Sequence, residues 1–357
     1  FISPRLDFSG PLTADGRLLY RLNALYRNEE GYRGFDTDTE RFFIAPAISW
    51  QISDRTDLTV RLEYTDDKQP ADTGGTVAIG DGVADLPSDR VLGIPDGDIN
   101  RDERLRVGYE FEHRFSDNWR LRNSFSYINR ERVSSFTGPA GPLDETTGDL
   151  PLSSGFQRFP SELFELQTNV VGEFNTGSIE HTLLFGFDLF RQEFRGNEFR
   201  SGFASPFVLN IFDPDYSGLS SPDSEDLVRA IFQDNQTDAL GVYLQDQADL
   251  SDNLILLAGV RYETVEQEIV SNPTDVNPDS STSNASEDAF TPRVGLVYQP
   301  IEELSLYGSW RQSFVPNTAT NVDGEILEPE RGEQFEIGAR AELLEGRLVA
   351  NLAFFDI

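Results

Sequence analysis

Four side chains, Asp96, Asp98, Asn100 and Asp102, stand at alternate positions, the spacing with which a calcium loop begins. That chemistry also needs a glycine at the sixth place and a bidentate glutamate at the twelfth. Arg101 and Val107 occupy those places, so a solvated acidic loop is the reading. Gly80-Asp81-Gly82 has two glycines of a phosphate loop and nothing else of its fingerprint, and also reads as loop. His113 and His181 are the only histidines, and cysteine and methionine are absent. Direct ligation of a transition metal or haem iron therefore lacks its usual ligands, and no metal or other cofactor is expected. Disulfides and thiolate nucleophiles are excluded. No serine, histidine and carboxylate come together in sequence as a catalytic set, so enzyme activity is not expected.

Two larger sets of residues remain. Arg61, Arg106, Arg114, Arg122, Arg261, Arg311 and Arg340 recur with Glu63, Glu110, Glu112, Glu263, Glu336 and Glu342, while Lys68 is the only lysine. These charges form either a cross-strand ion-pair ladder or a docking surface for a ligand or another domain. Phe156, Phe159, Phe203, Phe207, Phe212, Tyr216 and Phe232 cluster in stretches that read as long loops. They either pack on one another as small satellite cores or line a ligand pocket.

The elements that carry these residues follow a period of two. Leu105, Val107, Tyr109, Phe111, His113 and Phe115 alternate with Arg106, Gly108, Glu110, Glu112 and Arg114, as do Leu58, Val60, Leu62 and Tyr64 with Thr59, Arg61 and Glu63. Such runs are strands with one apolar and one charged face. Short turn-like connections at 53–56, 116–118, 176–178, 251–253, 301–303 and 345–346 alternate with long polar ones at about 31–39, 68–101, 133–158, 197–234, 270–288 and 315–331. A soluble domain rarely needs several long structureless loops, whereas an outer-membrane barrel has short turns at one end and long loops at the other. About fourteen strands are expected, from near Arg5–Ser9 to near Arg347–Ile357, many longer than a bilayer requires. The absence of 18 consecutive apolar residues excludes a membrane-spanning helix, and a mean hydropathy of −0.41 is compatible with a barrel. A formal charge of −33 opposes nucleic-acid binding.

Several segments resemble the barrel of TonB-dependent siderophore receptors, especially the ferrichrome type. They are 41–50 (RFFIAPAISW), 241–247 (GVYLQDQ), 259–263 (GVRYE), 309–317 (SWRQSFVPN) and 327–338 (LEPERGEQFEIG). The resemblance implies an all-β fold, an antiparallel transmembrane β-barrel with about 14 of the family's 22 strands, filling residues 1–357 as one partial domain. The plug domain, its TonB-contacting segment and the last strands are expected outside these residues. An open, curved sheet with two unpaired edges should result. The implied partners are a ferric siderophore, the TonB complex acting through the plug, and outer-membrane lipid. The implied location is the outer membrane of a Gram-negative-type bacterium. Family ligand contacts come from the plug and from loop and upper-wall aromatics, which points to Phe156 and Phe159 before one strand and to Phe212 and Tyr216 in a loop. Where the family places a loop aromatic after Thr73-Gly74, this chain has Gly75-Thr76-Val77-Ala78. Acidic loops favour a neutral or weakly charged ferric complex of the hydroxamate type. The rival of another class is a passive porin-like channel.

Overall fold

The computed structural model describes all residues except 33–37, 72–75, 96, 203–206, 318 and 324. Alternating apolar and polar side chains produce strands β1 (Arg5–Pro11), β2 (Leu18–Glu29), β3 (Thr39–Ser53) and β4 (Thr56–Pro70). A two-residue-a-side hairpin, β5 (Ala78–Ile79) and β6 (Gly82–Val83), interrupts the long connection before β7 (Ile99–Arg114). Next come β8 (Trp119–Pro139), β9 (Asp149–Thr176), β10 (Ile179–Ser201), the short β11 (Phe207–Asn210) and β12 (Val228–Ser251). β13 (Leu254–Ser271), β14 (Ser281–Ile301), β15 (Leu304–Val315), β16 (Glu330–Leu343) and β17 (Leu348–Asp356) complete the chain.

One antiparallel meander joins β1-β2-β3-β4-β7-β8-β9-β10-β12-β13-β14-β15-β16-β17, the expected fourteen strands. β11 adds to the upper end of β9, where Leu209 pairs with Leu150. β1 pairs only with β2 and β17 only with β16, so the described sheet has two free edges. Up-down order puts every short turn at one end and every long connection at the other, as the spacing in the sequence requires.

The long connections are shorter than the polarity of the sequence suggests. β8 continues to Pro139 and β9 starts at Asp149, β10 reaches Ser201, β12 starts at Val228, and β14 starts at Ser281. Residues 133–139, 149–158, 197–201, 228–234 and 281–288 are strand, not loop. The reason is solvent. Above the membrane both faces of a strand are wet, so polar side chains occupy both and the alternation that marks a strand disappears. The main apolar cluster of buried residues joins the loops to the upper end of the sheet. Val77, Ala84, Leu92 and Ile211 from the connections pack with Leu150 and Leu152 of β9 and Leu209 of β11, with Leu86, Leu143, Phe207, Tyr216 and Leu219 against them.

A paired wall, a lipid face and an arginine-rich mouth

Directly paired residues of an antiparallel sheet share a face. Leu58–Phe111, Val60–Tyr109 and Leu62–Val107 therefore lie on one face, and Arg61–Gly108 and Glu63–Arg106 on the other. On the apolar face, large side chains are widely exposed: Phe185, Leu240, Val242, Leu244, Val260, Leu296 and Ile337. The polar face carries strand residues that are closely covered, among them Thr65, Ser134, Val265, Gln267 and Ala289. Crowding on the charged face and splaying on the apolar face are the signs of a sheet curved around its charged side.

Aromatic pairs mark two levels on the apolar face. Near the long connections Phe42 meets Tyr64, Tyr127 meets Phe164 at 4.7 Å and Tyr262 meets Phe290 at 4.8 Å. Near the short turns Trp119 stacks on Phe174, Phe174 stacks on His181 at 5.0 Å, and His113 meets Phe115 edge-on. Trp119 lies flat because Gly172 opposite it has no side chain; a Cβ there would come within 2.4 Å of the indole. Ten residues of β9 separate Phe164 from Phe174. At about 3.3 Å per residue and a tilt near 40°, that is roughly 25 Å, the height of an outer-membrane apolar band between its aromatic girdles. The histidines lie in the lower girdle. Thr56 Oγ1 hydrogen-bonds His113 Nδ1 at 2.9 Å, and His181 bonds Asp246 at 2.7 Å.

Between the girdles the charged face is largely paired. Arg61 donates to Glu110 at 2.5 Å, Arg122 to Glu112 at 3.3 Å, and Arg114 lies 3.5 Å from Asp57. Arg106 sits 4.0 Å from Glu63, and Arg340 donates to Glu342 at 2.6 Å. Arg261 reaches across β12 to Asp188 with two bonds of 2.6 and 2.8 Å and also donates to Glu263 at 2.9 Å. Gly241 makes that reach possible: a Cβ there would stand 2.0 Å from Arg261 Nη2. Arg293 and Arg311 face each other across β14 and β15, with Arg311 held by Gln334 Oε1. A cavity of about 440 Å³ spans β4 to β10 on this face, bordered by Arg61, Glu63, Arg106, Glu110, Glu165 and Asp188. Here the ion-pair ladder holds, and its charges mostly answer one another.

The four aromatic candidates do not form one group. Phe156 and Phe159 lie within β9 rather than in a loop before it. Their odd spacing sends them to opposite faces: Phe159 pairs with Arg132 on the charged side, and Phe156 pairs with Ser135 on the outer side. Tyr216 packs against the loop core and donates its hydroxyl to Val91 O at 2.8 Å. Phe212, 47% exposed, sits over Gly148, whose φ of +82° and missing side chain leave room for the ring. Of the other aromatics, Phe207 packs on the loop core and Phe232 lies in β12 under Arg229; Phe203 is outside the described residues.

The calcium-like spacing dissolves into strand pairing. Asn100 Oδ1 accepts from Ser134 Oγ, Asp102 is paired with Arg130, and Asp98 Oδ1 accepts from Thr137 Oγ1 at 2.8 Å. Asp96, Thr73, Gly74 and Gly75 lie outside the described residues, and no acidic or histidine cluster among the described ones is arranged to hold a metal ion. Val77, from the segment that replaces the expected loop aromatic, is part of the loop core.

Sequence reasoning missed a basic group. Arg104 pairs across the strands with Arg130, and Asp102 with Arg132, on the charged face above the upper girdle. The bond from Arg130, with the charges of Arg104 and Arg132 nearby, holds the Asp102 carboxyl below its ordinary pKa. Extending the alternation from Arg106 to Arg104, and from Arg122 through Ser124, Ser126 and Ile128 to Arg130 and Arg132, would have found all three.

A two-faced sheet with girdles about 25 Å apart, short turns below and a tall polar wall above is the wall of an outer-membrane β-barrel. Residues 49–357 match the family model described as TonB dependent receptor-like, beta-barrel, and the chain belongs to that family of outer-membrane receptors, not enzymes. It is 32% identical to the metal-pseudopaline receptor CntO of Pseudomonas aeruginosa over 99% of this chain and 49% of that protein. To the ferrichrome outer membrane transporter/phage receptor of Escherichia coli it is 28% identical, over 98% of this chain and 49% of the other. The crystal structure of the siderophore receptor PiuA from Acinetobacter baumannii superposes with a TM-score of 0.81 at 20% identity, covering 99% of this chain and 54% of that one. The chain spans about half the length of the curated relatives it matches.

Proposed function

We propose that the full-length protein imports ferric siderophores across the outer membrane, binding them at the extracellular mouth and coupling uptake to TonB through a plug domain. Relatives named as receptors for metal-pseudopaline, ferrichrome and ferrioxamine B support that class of cargo. The observation that carries the reading is the wall itself, which rises beyond the membrane band and turns Phe159 inward, while Phe212 stands exposed in the loops above.

We further propose a hydroxamate-type complex, neutral or weakly charged. The loop segment at 272–280 carries Asp275 and Asp279 and no basic residue, so a highly anionic complex meets repulsion on entry. Such a complex is held by aromatic faces and hydrogen bonds, with the iron kept inside its own chelator. Phe159 and Phe212 make the direct contacts; Tyr216 holds the loop that presents Phe212, and Phe156 props the wall behind Phe159. Fluorescence-quenching titration of the full-length receptor with a neutral ferric trihydroxamate is the test. Phe159→Ala or Phe212→Ala should weaken binding by about 1 kcal/mol, the order of one lost aromatic contact. Unchanged affinity in both variants, or preference for a multiply anionic catecholate complex, refutes the hydroxamate reading.

A further inference from the structure

The upper wall differs from the wall below in its charge. Across β3, β4, β7 and β8, four arginines (Arg41, Arg104, Arg130 and Arg132) share the charged face with two aspartates. Asp67 is taken by Arg41 through a bond of 2.8 Å, and Asp102 by Arg130. Arg104 and Arg132 form no ion pair among the described residues, and both are exposed. Arg104 stands directly opposite Arg130, a like-charge pair about 5 Å apart at Cβ, and Arg132 stands directly opposite Asp102, whose carboxylate Arg130 already takes. Four arginines against two aspartates leave a local excess of two positive charges in a chain of net charge −33.

The position narrows what could answer that charge. Arg132 and Phe159 are cross-strand partners, each five residues above the upper girdle, at Tyr127 and Phe164 respectively. Ser134 and Gln157, the next pair upward on the same face, add polar side chains. Two planar guanidinium forks beside an aromatic ring suit a carboxylate carried on a partly apolar molecule.

We infer that Arg104 and Arg132 form a carboxylate subsite on the upper lumenal wall, which receives an anionic arm of the metal chelate while Phe159 covers its apolar part. This rests on the siderophore reading and deepens it: the cargo is a weakly charged complex bearing a free carboxylate outside its metal-binding groups. Entry past the acidic loops limits the total charge, and the arginines below select where that charge sits.

The experiment compares two probes on the full-length receptor in detergent. One is the ferric complex of a linear trihydroxamate ending in a free carboxylate; the other is its methyl ester. The wild type should bind the acid roughly ten-fold more tightly than the ester, the order of a charge-assisted pair. In the Arg104→Gln/Arg132→Gln double variant the two affinities should converge, with the ester unchanged. Arg104→Lys/Arg132→Lys should restore part of the preference, since charge returns without the fork. Equal affinities for both probes in the wild type, or an acid preference that survives the double variant, overturns the subsite. A loss shared equally by both probes also overturns it, and assigns the arginines to holding another part of the receptor. Failure of both probes to bind the wild type refutes the hydroxamate reading on which the subsite rests.

Discussion

Strands β8 and β9 pass through two environments, and the same backbone is legible in one and nearly silent in the other. Between the girdles Phe125, Tyr127, Phe164 and Leu166 face lipid while Ser124, Ser126, Glu165 and Gln167 face the lumen. Above the upper girdle Asn129, Glu131 and Arg158 occupy the outer face and Arg130 and Arg132 the inner one. The hydrogen-bonded ladder is continuous through both. What changes is the solvent on the outer side, and with it the cost of a charge. Alternation in sequence records a difference between two media, not the presence of a strand.

That comparison is tested most severely by placing the same charge in each region. Leu244→Arg, on the lipid face between the girdles, should destabilise the folded full-length receptor by about 2–4 kcal/mol. Ser286→Arg, on the same face of β14 but above Phe290, should cost less than about 1 kcal/mol. Urea titration of folding into lipid vesicles measures both. Equal penalties would mean that the girdles do not bound the membrane.

The lumenal wall gives the next effect. Gly241→Ala should push Arg261 off Asp188 and weaken the receptor by about 1 kcal/mol, with Asp188→Asn costing little more once the reach is broken. A double-mutant cycle reads the coupling. Full additivity of the two substitutions would show that the bidentate pair contributes nothing. A loop substitution of similar size, Tyr216→Phe, removes the bond to Val91 O, with about 1 kcal/mol expected. Its effect should stay local, appearing as faster proteolysis within 84–98 and 212–219 while the strands keep their protection.

Most of the fold could be read from the chain because most of it spans two media. Leu58–Tyr64 and Leu105–Phe115 declare their faces residue by residue, and Ser53-Asp54-Arg55 or Ser116-Asp117-Asn118 mark the turns between such runs. The site was less legible for the same physical reason. Phe156 and Phe159 stand in a stretch where every second residue is no longer apolar, so nothing in the sequence says that β9 has already begun. Once it has, their separation of three forbids a shared face. Tyr216 illustrates a second limit. Its fate depends on a cluster that draws Leu92 and Ile211 from two different connections and Leu150 from the start of β9, and no local pattern announces that they meet.

The smallest expected effect concerns acid and distinguishes the loops from the wall once more. In the turn between β8 and β9, the backbone N–H groups of Thr146 and Thr147 donate to Asp144 Oδ1 at 2.9 and 3.2 Å. Those bonds favour the ionised carboxylate and hold its pKa below the ordinary aspartate value of 3.8. A depressed folded-state pKa means that the contribution is complete above the unfolded value and is lost as pH falls through the folded one. The turn should therefore be indifferent to pH from 7 down to about 4 and loosen only below that. Amide exchange of 144–148, followed between pH 7 and pH 3 and corrected for intrinsic rates, should show protection falling in the acid range. Asp144→Ala should remove that dependence and leave the turn equally loose at every pH. Because the carboxylate is in open solvent, β8 and β9 on either side should show no corresponding change. Loss of strand protection along with the turn would tie loop and wall into one cooperative unit and erase the boundary between them.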